Sequence, residues 1–337
     1  MRAVYIKEFG GTENLEVREV PDPRPPGPGE VLVRVLNAGL NRADLLQLRG
    51  LYPPPEGYDP RIPGLEFAGR VIQTGEGVAE LKANDRVFGI TAGGGQAEYL
   101  VVDQRLLALV PDHLDTWDAA AVPEAYVTAQ DALVTQAGLK AGETVLIHAI
   151  ASGVGIASAQ IAKHAGAFVI GTSRSPEKLA RFAGQASMSR MSVDETIATT
   201  NGPSFSGRVN ELTEGKGADV IIDLVGGPYF EENIRCAAPK ARIMLVGLTA
   251  GRKSQIDMGV VLAKRLTIKG TVLRSRSVEE KGETMDSFRR SIVPGLSLNG
   301  PFWPEVDRYF EFDDVARAYE HLASNRSFGK VVLNLAS

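Results

Sequence analysis

Alternation of apolar and polar residues predicts a β-rich first third of the chain. The N-terminal MRAVYIKEFGG and the stretches GEVLVRVLNAGLN, AGRVIQTGEGV, NDRVFGI and GGGQAEYLVVD have the two-residue period of strands. Between them, LRGLYPPPEGYDPRIPG is rich in Pro and Gly, which indicates a rigid, exposed loop. Loops held on a β scaffold in this way are common sites of substrate contact.

The pattern changes near Trp117 to helices alternating with short apolar strands. DTWDAAAVPEAYVTAQDALVTQAGL has helical spacing, with Asp115 or Thr116 as N-cap and Gly138 as the stop. The strands ETVLIHA, FVIGTS, ADVIIDLVGG, ARIMLVGL and LTIKGTVL follow, most of them separated by helices. Such strands indicate a parallel, doubly wound sheet buried on both faces.

The C-terminal part predicts a return to the first domain. After the helical SVEEKGETMDSFRRSIVPGL, the segment RYFEFDDVARAYEHLAS is predicted as a helix and SFGKVVLNL as a terminal strand that rejoins the first sheet. A chain of 337 residues exceeds the size at which one core usually keeps growing. We therefore expect two domains, the second inserted in the first.

Composition excludes several classes of partner. The formal net charge of −4 gives no basic footprint for nucleic acid or an anionic membrane. Cys236 is the only cysteine, so an intrachain disulfide is excluded and a reducing compartment is favoured. The N-terminus has no apolar leader segment, and a cytoplasmic protein is expected.

The stretch LIHAIASGVGIASAQIAKHAGA predicts a strand that turns into a helix over glycines. Gly153 and Gly155 have the spacing of a dinucleotide-binding turn, Ser158 stands where a third glycine is usual, and Ser152 precedes the helix. Backbone N–H groups at such a helix start bind a pyrophosphate. The alternative is that Ser152 only caps the helix and the glycines only allow close packing.

The end of the next strand bears on the choice of dinucleotide. An acid that binds the ribose hydroxyls is usual there for NAD. Here Thr172, Ser173, Arg174 and Ser175 follow one another, and Lys178 lies close behind. Hydroxyls and two cations suit a 2′-phosphate, so NADPH is predicted, with solvated helix-start charges as the alternative.

The sequence offers little support for metal or nucleophilic chemistry. The histidines His113, His148, His164 and His321 lie far apart, and none has ligand spacing to Cys236. A cysteine-based structural zinc is excluded, and no catalytic zinc is expected. His148 is expected to be a core histidine. Hydride transfer needs none of these groups, because a cofactor carries the reactive hydrogen.

Several separated stretches together resemble one family. LNRADLLQLRGLYPPP, IPGLEFAGRVIQTGEGVAELKANDRVFG and GETVLIHAIASGVGIASAQIAK occur in that order, followed by VIIDLVGG, VGLTAG, TVLRSRS and FGKVVL. They resemble the zinc-independent, zeta-crystallin-like quinone oxidoreductases of the medium-chain dehydrogenase/reductase superfamily over essentially the whole chain. NRADLLQ and TVLRSR are most similar to the p53-inducible quinone oxidoreductase subgroup.

The resemblance implies an α/β fold of two domains with NADPH in the cleft between them. Residues 1–123 and 273–337 would form a GroES-like β-rich catalytic domain, and residues 124–272 a doubly wound Rossmann dinucleotide-binding domain. Asn41 and Tyr52 would line the nicotinamide and substrate pocket. The implied cofactor contacts are Thr128 beside the nicotinamide, Ser152, Gly153 and Val154 at the pyrophosphate, Ser173, Arg174 and Lys178 at the 2′-phosphate, Val225, Gly247 and Leu248 along the ribose and ring, and the backbone of Leu273 at the carboxamide.

Structural roles remain open for some of these residues. Tyr52 can instead pack its loop, Asn41 can be a turn residue, and Thr128 can cap or pack. Asp44 is expected to organise the loop and Glu66 to be structural. These alternatives leave both catalytic assignments as hypotheses.

One region departs from the family. Its members have a short strand that ends near a tyrosine lying against the adenosine phosphate, whereas Met191, Ser192 and Val193 stand near that place here. The departure implies that NADPH is held there more weakly or by other groups.

The function implied is NADPH-dependent reduction of quinones by hydride transfer without metal, and no residue stands out as an obligatory general acid. One alternative is an NADPH-dependent enone or alkenal double-bond reductase on the same scaffold. The other is a cofactor-binding protein with a crystallin-like or regulatory role.

The partner expected is a small-molecule acceptor. RLTIKGTVLRS is predicted as an edge strand that pairs with a second copy in a homodimer or homotetramer.

Overall fold

The structure is a computed structural model that describes residues 1–184 and 193–336. The strands are β1 (Arg2–Ile6), β2 (Leu15–Glu19), β3 (Glu30–Leu40), β4 (Glu66–Thr74), β5 (Arg86–Ile90), β6 (Tyr99–Asp103), β7 (Leu107–Leu109), β8 (Thr144–Ile147), β9 (Phe168–Ser173), β10 (Glu195–Ala198), β11 (Ala218–Asp223), β12 (Ala237–Leu245), β13 (Thr267–Gly270), β14 (Val306–Glu311) and β15 (Lys330–Asn334). The helices are α1 (Arg42–Leu48), α2 (Thr116–Ala119), α3 (Pro123–Gln130), α4 (Gly153–His164), α5 (Pro176–Gly184), α6 (Ser206–Leu212), α7 (Tyr229–Cys236), α8 (Met258–Lys264), α9 (Val278–Ser291) and α10 (Val315–Ala323).

The chain divides into two compact units. The first contains Met1–Val127, Leu273–Ser297 and Trp303–Ser337, and the second contains Thr128–Val272 and Leu298–Phe302. Residues 124–127 therefore lie in the first unit and residues 298–302 in the second, which differs from the predicted boundaries.

The first unit is built on a largely antiparallel sheet. Its strand order is β14-β15-β3-β4-β5-β7, and β6 pairs with β3. The C-terminal β15 pairs antiparallel with β3, as predicted for a strand that rejoins the first domain. The expectation of a helix from Arg308 onward is wrong in its first part, because RYFE belongs to β14 and the helix α10 starts at Val315. Tyr309 and Phe310 explain the difference, since aromatic residues favour strands.

The second unit is a doubly wound parallel sheet, which confirms the predicted α/β fold class. The strand order is β10-β9-β8-β11-β12-β13, and every pairing is parallel. Numbered from β8, this is the order 3-2-1-4-5-6 of dinucleotide-binding sheets. The order reverses between β8 and β11, so a ligand crevice is expected at the carboxyl ends of these two strands.

The predicted long helix around residue 115 is divided into shorter pieces. Asp115 caps α2 by accepting a hydrogen bond from the Asp118 N–H at 2.8 Å. Pro123 starts α3, because proline lacks the N–H needed to continue the preceding turn. A π-helical segment, Asp131–Gln136, follows, and Gly138 ends it with a left-handed φ of 59°. Within the described part of the chain, no helix combines the length and apolar character needed to cross a membrane.

Candidate cofactor and substrate site

The glycine turn connects β8 to α4 at the point where the sheet order reverses. Ser152 is the N-cap, and its Oγ accepts a hydrogen bond from the Gly155 N–H at 3.1 Å. A Cβ on Gly155 would stand 2.5 Å from the Ala149 carbonyl oxygen, so only glycine fits there. Gly153 and Val154 are partly exposed, and their N–H groups lie in the first turn of α4, where a helix offers no acceptor for them. The turn thus presents two backbone donors at a helix start.

Ser158 takes the packing role of the missing third glycine. Its side chain is fully buried within α4, and its Oγ is among the buried polar atoms without a hydrogen-bond partner in the described residues. A third glycine in this type of turn allows close helix and strand packing. The small serine preserves that approach at the cost of one unpaired hydroxyl.

The end of β9 is polar and carries no acid until Glu177. Ser173 Oγ accepts from the Ser175 N–H at 3.2 Å, and Ser175 Oγ accepts from the Lys178 N–H at 3.2 Å. Arg174 is exposed, and its carbonyl accepts from Thr200 Oγ1 at 3.1 Å. These bonds order the backbone of the loop while leaving the guanidinium at the surface.

The ends of β11 and β12 continue the same edge of the sheet. Asp223 Oδ1 accepts from the N–H groups of Val225 at 2.8 Å and Gly226 at 2.7 Å, which fixes the turn after β11. A Cβ on Gly247 would meet the Leu224 carbonyl oxygen at 2.7 Å. Leu248, which follows, is 48% exposed. The two loops leave Val225, Gly247 and Leu248 accessible at the carboxyl end of the sheet.

His148 joins three strand ends beneath this edge. Asn233 Nδ2 donates to Asp223 Oδ2 at 2.9 Å, so Asn233 Oδ1 faces His148 Nε2 at 2.6 Å and accepts a hydrogen bond from the Nε2–H. His148 Nδ1 then accepts from Thr172 Oγ1 at 2.9 Å. Burial lowers the pKa of His148, opposed by Asp223 and by the hydrogen bond to Asn233. The expectation of a satisfied core histidine is confirmed.

The strand next to β9 lies further along the chain than the family comparison suggested. The predicted position near Met191 to Val193 is wrong, because β10 is Glu195–Ala198 and Thr199 follows it. Met191 and Ser192 themselves lie outside the described residues. Thr199 N–H donates to the Ser173 carbonyl at 2.9 Å, and the buried Tyr229 donates its hydroxyl proton to Thr199 Oγ1 at 2.7 Å. A threonine and a tyrosine from α7 therefore occupy the end of this strand.

In the first unit, a buried ammonium organises Asn41 at the start of α1. Lys330 Nζ donates to the Leu40 carbonyl at 2.7 Å and to Asn41 Oδ1 at 2.6 Å, and it forms an ion pair with Glu66. Asn41 Nδ2 donates to Glu66 Oε1 at 2.9 Å. These bonds fix the orientation of the amide and use one of its two N–H donors. Asn41 is partly exposed, so the second N–H remains for a ligand.

Two further carboxyls share this region with unusual pKa values. Glu66 Oε2 accepts from the Glu124 N–H at 2.9 Å, at the start of α3. Burial raises the pKa of Glu124 to about 8, and Glu66 adds to the rise while Lys330 opposes it. Burial likewise raises the pKa of Asp44 to about 6, opposed by the Asn41 N–H, which donates to Asp44 Oδ2 at 2.8 Å.

Tyr52 is held by a buried arginine. Arg274 donates from Nη1 to the Tyr52 carbonyl at 2.7 Å, from Nε to the Ala92 carbonyl at 2.7 Å, and from Nη2 to Gln47 Oε1. The guanidinium also lies 4.9 Å from the centroid of the Tyr52 ring. The Pro-rich loop is therefore fastened at Tyr52, and burial raises the pKa of its partly buried phenol.

The structure brings together some of the predicted residues and separates others by unit. Asn41, Tyr52 and Leu273 belong to the first unit. The structure places the other residues predicted to bind the dinucleotide at the carboxyl edge of the parallel sheet of the second unit. They are Ser152, Gly153, Val154, Ser173, Arg174, Lys178, Val225, Gly247 and Leu248. Thr128 lies in α3, at the start of the second unit.

Sequence reasoning missed Glu124, Arg274, Lys281 and Lys330. Glu124 had a signal, since it is the one charged residue of AAAVPEAYVTA. Arg274 and Lys281 each have a polar neighbour in the sequence and Lys330 begins the apolar strand β15, and none of the three had a signal. Of the residues that the structure describes, no three from His, Cys, Asp and Glu are arranged to hold a metal ion.

Known proteins are similar to this chain over nearly its whole length. The family model described as the alcohol dehydrogenase GroES-like domain matches residues 27–112, and that described as zinc-binding dehydrogenase matches residues 153–288. A quinone oxidoreductase of Pseudomonas aeruginosa is 35% identical over 337 residues, covering 98% of this chain and 99% of the relative.

Solved structures share this fold over nearly the whole chain. A quinone oxidoreductase of Pseudomonas syringae has a TM-score of 0.83 and 30% identity, covering 99% of each chain. A mycobacterial protein solved in complex with NADPH has a TM-score of 0.86 and 28% identity, covering 99% of this chain and 100% of its own. The chain therefore belongs to the quinone oxidoreductase family of the medium-chain dehydrogenase/reductase superfamily.

Proposed function

We propose that this protein reduces quinones with NADPH by hydride transfer and without a metal. The observation that carries the proposal is the carboxyl edge of the parallel sheet. There the free N–H groups of Gly153 and Val154 lie at the reversal of strand order, and the neighbouring strand ends at Ser173 and is followed by Arg174, without an acid. A reduced dinucleotide with a 2′-phosphate matches both features.

The residues present fit this cofactor. A Cβ on Gly155 or Gly247 would clash with a backbone carbonyl oxygen, so both positions favour glycine. Without a side chain at either position, the backbone of both loops is open to a ligand. Ser152, Gly153 and Val154 would hold the pyrophosphate, and Ser173, Arg174 and Lys178 the 2′-phosphate. Val225, Gly247 and Leu248 would border the ribose and ring, with Thr128 and the Leu273 backbone beside the nicotinamide. When bound, the cofactor supplies the hydride.

The acceptor would be oriented by the first unit. Asn41 keeps one N–H for an acceptor oxygen, and its orientation is fixed by Lys330 and Glu66. A donor held in this way stabilises charge that develops on oxygen without having to reorganise. Tyr52, held by Arg274, offers an aromatic ring for a flat acceptor. The relatives that carry the name quinone oxidoreductase support a quinone as that acceptor.

An acceptor screen with purified protein tests the proposal. We expect NADPH oxidation with several ortho- and para-quinones, slower oxidation of NADH, and no loss of rate after treatment with a chelator. Arg174→Ala is expected to lower the preference for NADPH roughly tenfold, which corresponds to about 1.4 kcal/mol. Lys82→Met, at an exposed position of the first unit, serves as the control.

Other outcomes of the screen would replace the proposal. Faster turnover of enones or alkenals than of quinones would favour the double-bond reductase. Fluorescence-detected NADPH binding without turnover of any acceptor would favour a cofactor-binding protein with no enzymatic role. An unchanged cofactor preference in Arg174→Ala would remove that residue from the 2′-phosphate site.

We also propose that the protein forms a homodimer or homotetramer in the cytoplasm. β13 is at the edge of the parallel sheet, shorter than the predicted strand, and all four of its residues are exposed. The adjacent α8 exposes Met258 at 75% and Leu262 at 79%. Exposed apolar residues beside an open strand edge favour pairing with a second copy.

Light scattering coupled to size exclusion measures the assembly. Ile268→Lys on β13 is expected to shift it toward monomer, because a charge on an edge strand opposes pairing. Ile72→Lys on β4, a similarly exposed isoleucine of the other unit, should leave the assembly unchanged. A monomeric wild-type protein would contradict the proposal.

A further inference from the structure

His148 lies at the centre of a buried polar network that joins three strand ends of the parallel sheet. His148 follows β8, Thr172 lies near the end of β9, Asp223 ends β11, and Asn233 lies on α7. These four residues, here called the His148 network, are each at most 1% exposed. A fully paired polar network in a protein interior makes its surroundings rigid and specifies one arrangement of them.

The partners determine where each proton of the His148 network lies. Both carboxyl oxygens of Asp223 accept hydrogen bonds, and Oδ2 accepts from Asn233 Nδ2 at 2.9 Å. The Asn233 amide oxygen is therefore the atom that faces His148 Nε2 at 2.6 Å, and it can only accept, so Nε2 carries the proton. In the neutral ring, Nδ1 is then the acceptor for the Thr172 hydroxyl at 2.9 Å.

The two ends of the His148 network reach the backbone that is assigned to the dinucleotide. Asp223 Oδ1 accepts from the N–H groups of Val225 at 2.8 Å and Gly226 at 2.7 Å, so its orientation determines the turn after β11. At the other end, Thr172 directly precedes Ser173, the last residue of β9. The network thus connects the turn predicted to border the ribose with the strand end predicted to meet the 2′-phosphate.

Two aromatic rings pack against the imidazole. The ring centroid of Phe205 lies 4.7 Å from that of His148, and the ring of Tyr229 lies 5.0 Å away at an interplanar angle of 81°. Tyr229 donates to Thr199 Oγ1 at 2.7 Å, and the Thr199 N–H donates to the Ser173 carbonyl at 2.9 Å. Ser173 is therefore connected to the imidazole by this packing as well as by the bond to Nδ1.

We propose that His148 is a positioning residue of the dinucleotide site and that its two ring nitrogens hold different parts of that site. The Nδ1 bond to Thr172 holds the Ser173 end of β9 for the 2′-phosphate. The Nε2 bond to Asn233 holds the turn after β11, which borders the part common to NADPH and NADH. His148 is fully buried and acts only through these partners. The identity of the ligand rests on the proposed function.

Binding of both dinucleotides, followed by fluorescence, separates the two contacts. Thr172→Val keeps the shape of the side chain and removes its hydroxyl. We expect NADPH to bind about fivefold more weakly, the effect of one lost hydrogen bond, and NADH to change by less than about twofold. Asn233→Leu breaks the other contact and should weaken the binding of both dinucleotides by about fivefold or more. A purely structural role would lower stability without changing the ratio of the two affinities.

Two replacements of the ring keep one contact each. His148→Asn places an amide oxygen near the position of Nδ1, where it accepts from Thr172, whereas the longer His148→Gln places an amide N–H near the position of Nε2. His148→Asn should therefore keep the ratio of NADPH to NADH affinity, and His148→Gln should lower this ratio as Thr172→Val does. Thr144→Val, a buried threonine at the opposite end of β8, is the control and should leave both affinities unchanged.

Heteronuclear NMR tests the His148 network without any cofactor. The His148 ring, assigned by the loss of its signals in His148→Asn, should be the neutral tautomer with its proton on Nε2. Its Nδ1 signal should shift in Thr172→Val, because the hydroxyl that donates to this atom is lost. The amide signals of Val225 and Gly226 should shift in Asn233→Leu and stay in place in Thr144→Val.

The outcomes separate this inference from the proposed function. Unchanged affinities in Thr172→Val and His148→Gln, with a wild type that binds NADPH more tightly than NADH, would overturn the inference and leave the proposed function standing. A wild type that prefers NADH would overturn the NADPH assignment and the role of Thr172 with it. A ring with its proton on Nδ1 would overturn the inference alone. If the Asn233 or His148 variants do not fold, Thr172→Val decides through the affinity ratio and the Nδ1 signal.

Discussion

Gly155→Ala is expected to disrupt the turn between β8 and α4 and to lower cofactor affinity. The added Cβ would lie 2.5 Å from the Ala149 carbonyl oxygen and 2.6 Å from the Ile150 carbonyl oxygen. Both are backbone atoms, so the clash is relieved only if the turn moves. Overpacking of this kind costs about 1–3 kcal/mol, and we expect the upper part of that range.

The same movement displaces the N–H groups of Gly153 and Val154. We therefore expect NADPH to bind at least roughly tenfold more weakly, a loss of about 1.4 kcal/mol. Thermal unfolding followed by circular dichroism and a fluorescence titration with NADPH measure the two effects.

Gly207→Ala is the matched control. Gly207 also lies in the first turn of a helix of the second unit, but a Cβ there meets nothing within 4 Å. Alanine favours helix over glycine, so this change should be neutral or stabilise by up to about 1 kcal/mol. Equal behaviour of the two variants would show that the turn accepts a side chain and that Gly155 is not needed for close packing.

Lys330→Met is expected to destabilise the first unit more than any surface substitution. Lys330 is 5% exposed and Glu66 is fully buried, so removing the ammonium leaves a buried carboxylate without its cation. Breaking a buried pair in this way costs about 3–5 kcal/mol. The Leu40 carbonyl and Asn41 Oδ1 lose their donor as well.

Tryptophan fluorescence during denaturant unfolding measures this loss. Trp117 and Trp303, the only two tryptophans, both lie in the first unit, so their signal reports on that unit. Adding Glu66→Gln to Lys330→Met should recover part of the stability, because the uncompensated charge is then removed. Lys82→Met, at an exposed position, should stay within about 0.5 kcal/mol of wild type. A similarly small effect of Lys330→Met would contradict a structural role for the pair.

Local patterns predicted the parallel sheet, the glycine turn and the terminal strand. Period-two alternation indicates a strand with one buried face, and an apolar run between helices indicates a strand buried on both faces. Both patterns are formed by residues that are neighbours in the chain. Helix ends were harder to place. Pro123 interrupts the predicted long helix and starts α3, because it lacks the N–H needed to continue the preceding turn. The aromatic residues of RYFE favour a strand, although they lie within an apolar pattern compatible with a helix.

The doubly wound domain, the helix start at Ser152 and the basic, hydroxyl-rich end of β9 are readable from the amino-acid sequence, because each depends on residues close together in the chain. The polar cluster of the first unit becomes visible only in the folded protein. Asn41, Glu66, Glu124 and Lys330 come from distant parts of the chain and meet through the pairing of β3 with β4 and β15 and through the hydrogen bond of Glu66 to the start of α3. The raised pKa of Glu124 follows from its burial and from the nearby Glu66, neither of which sequence spacing encodes.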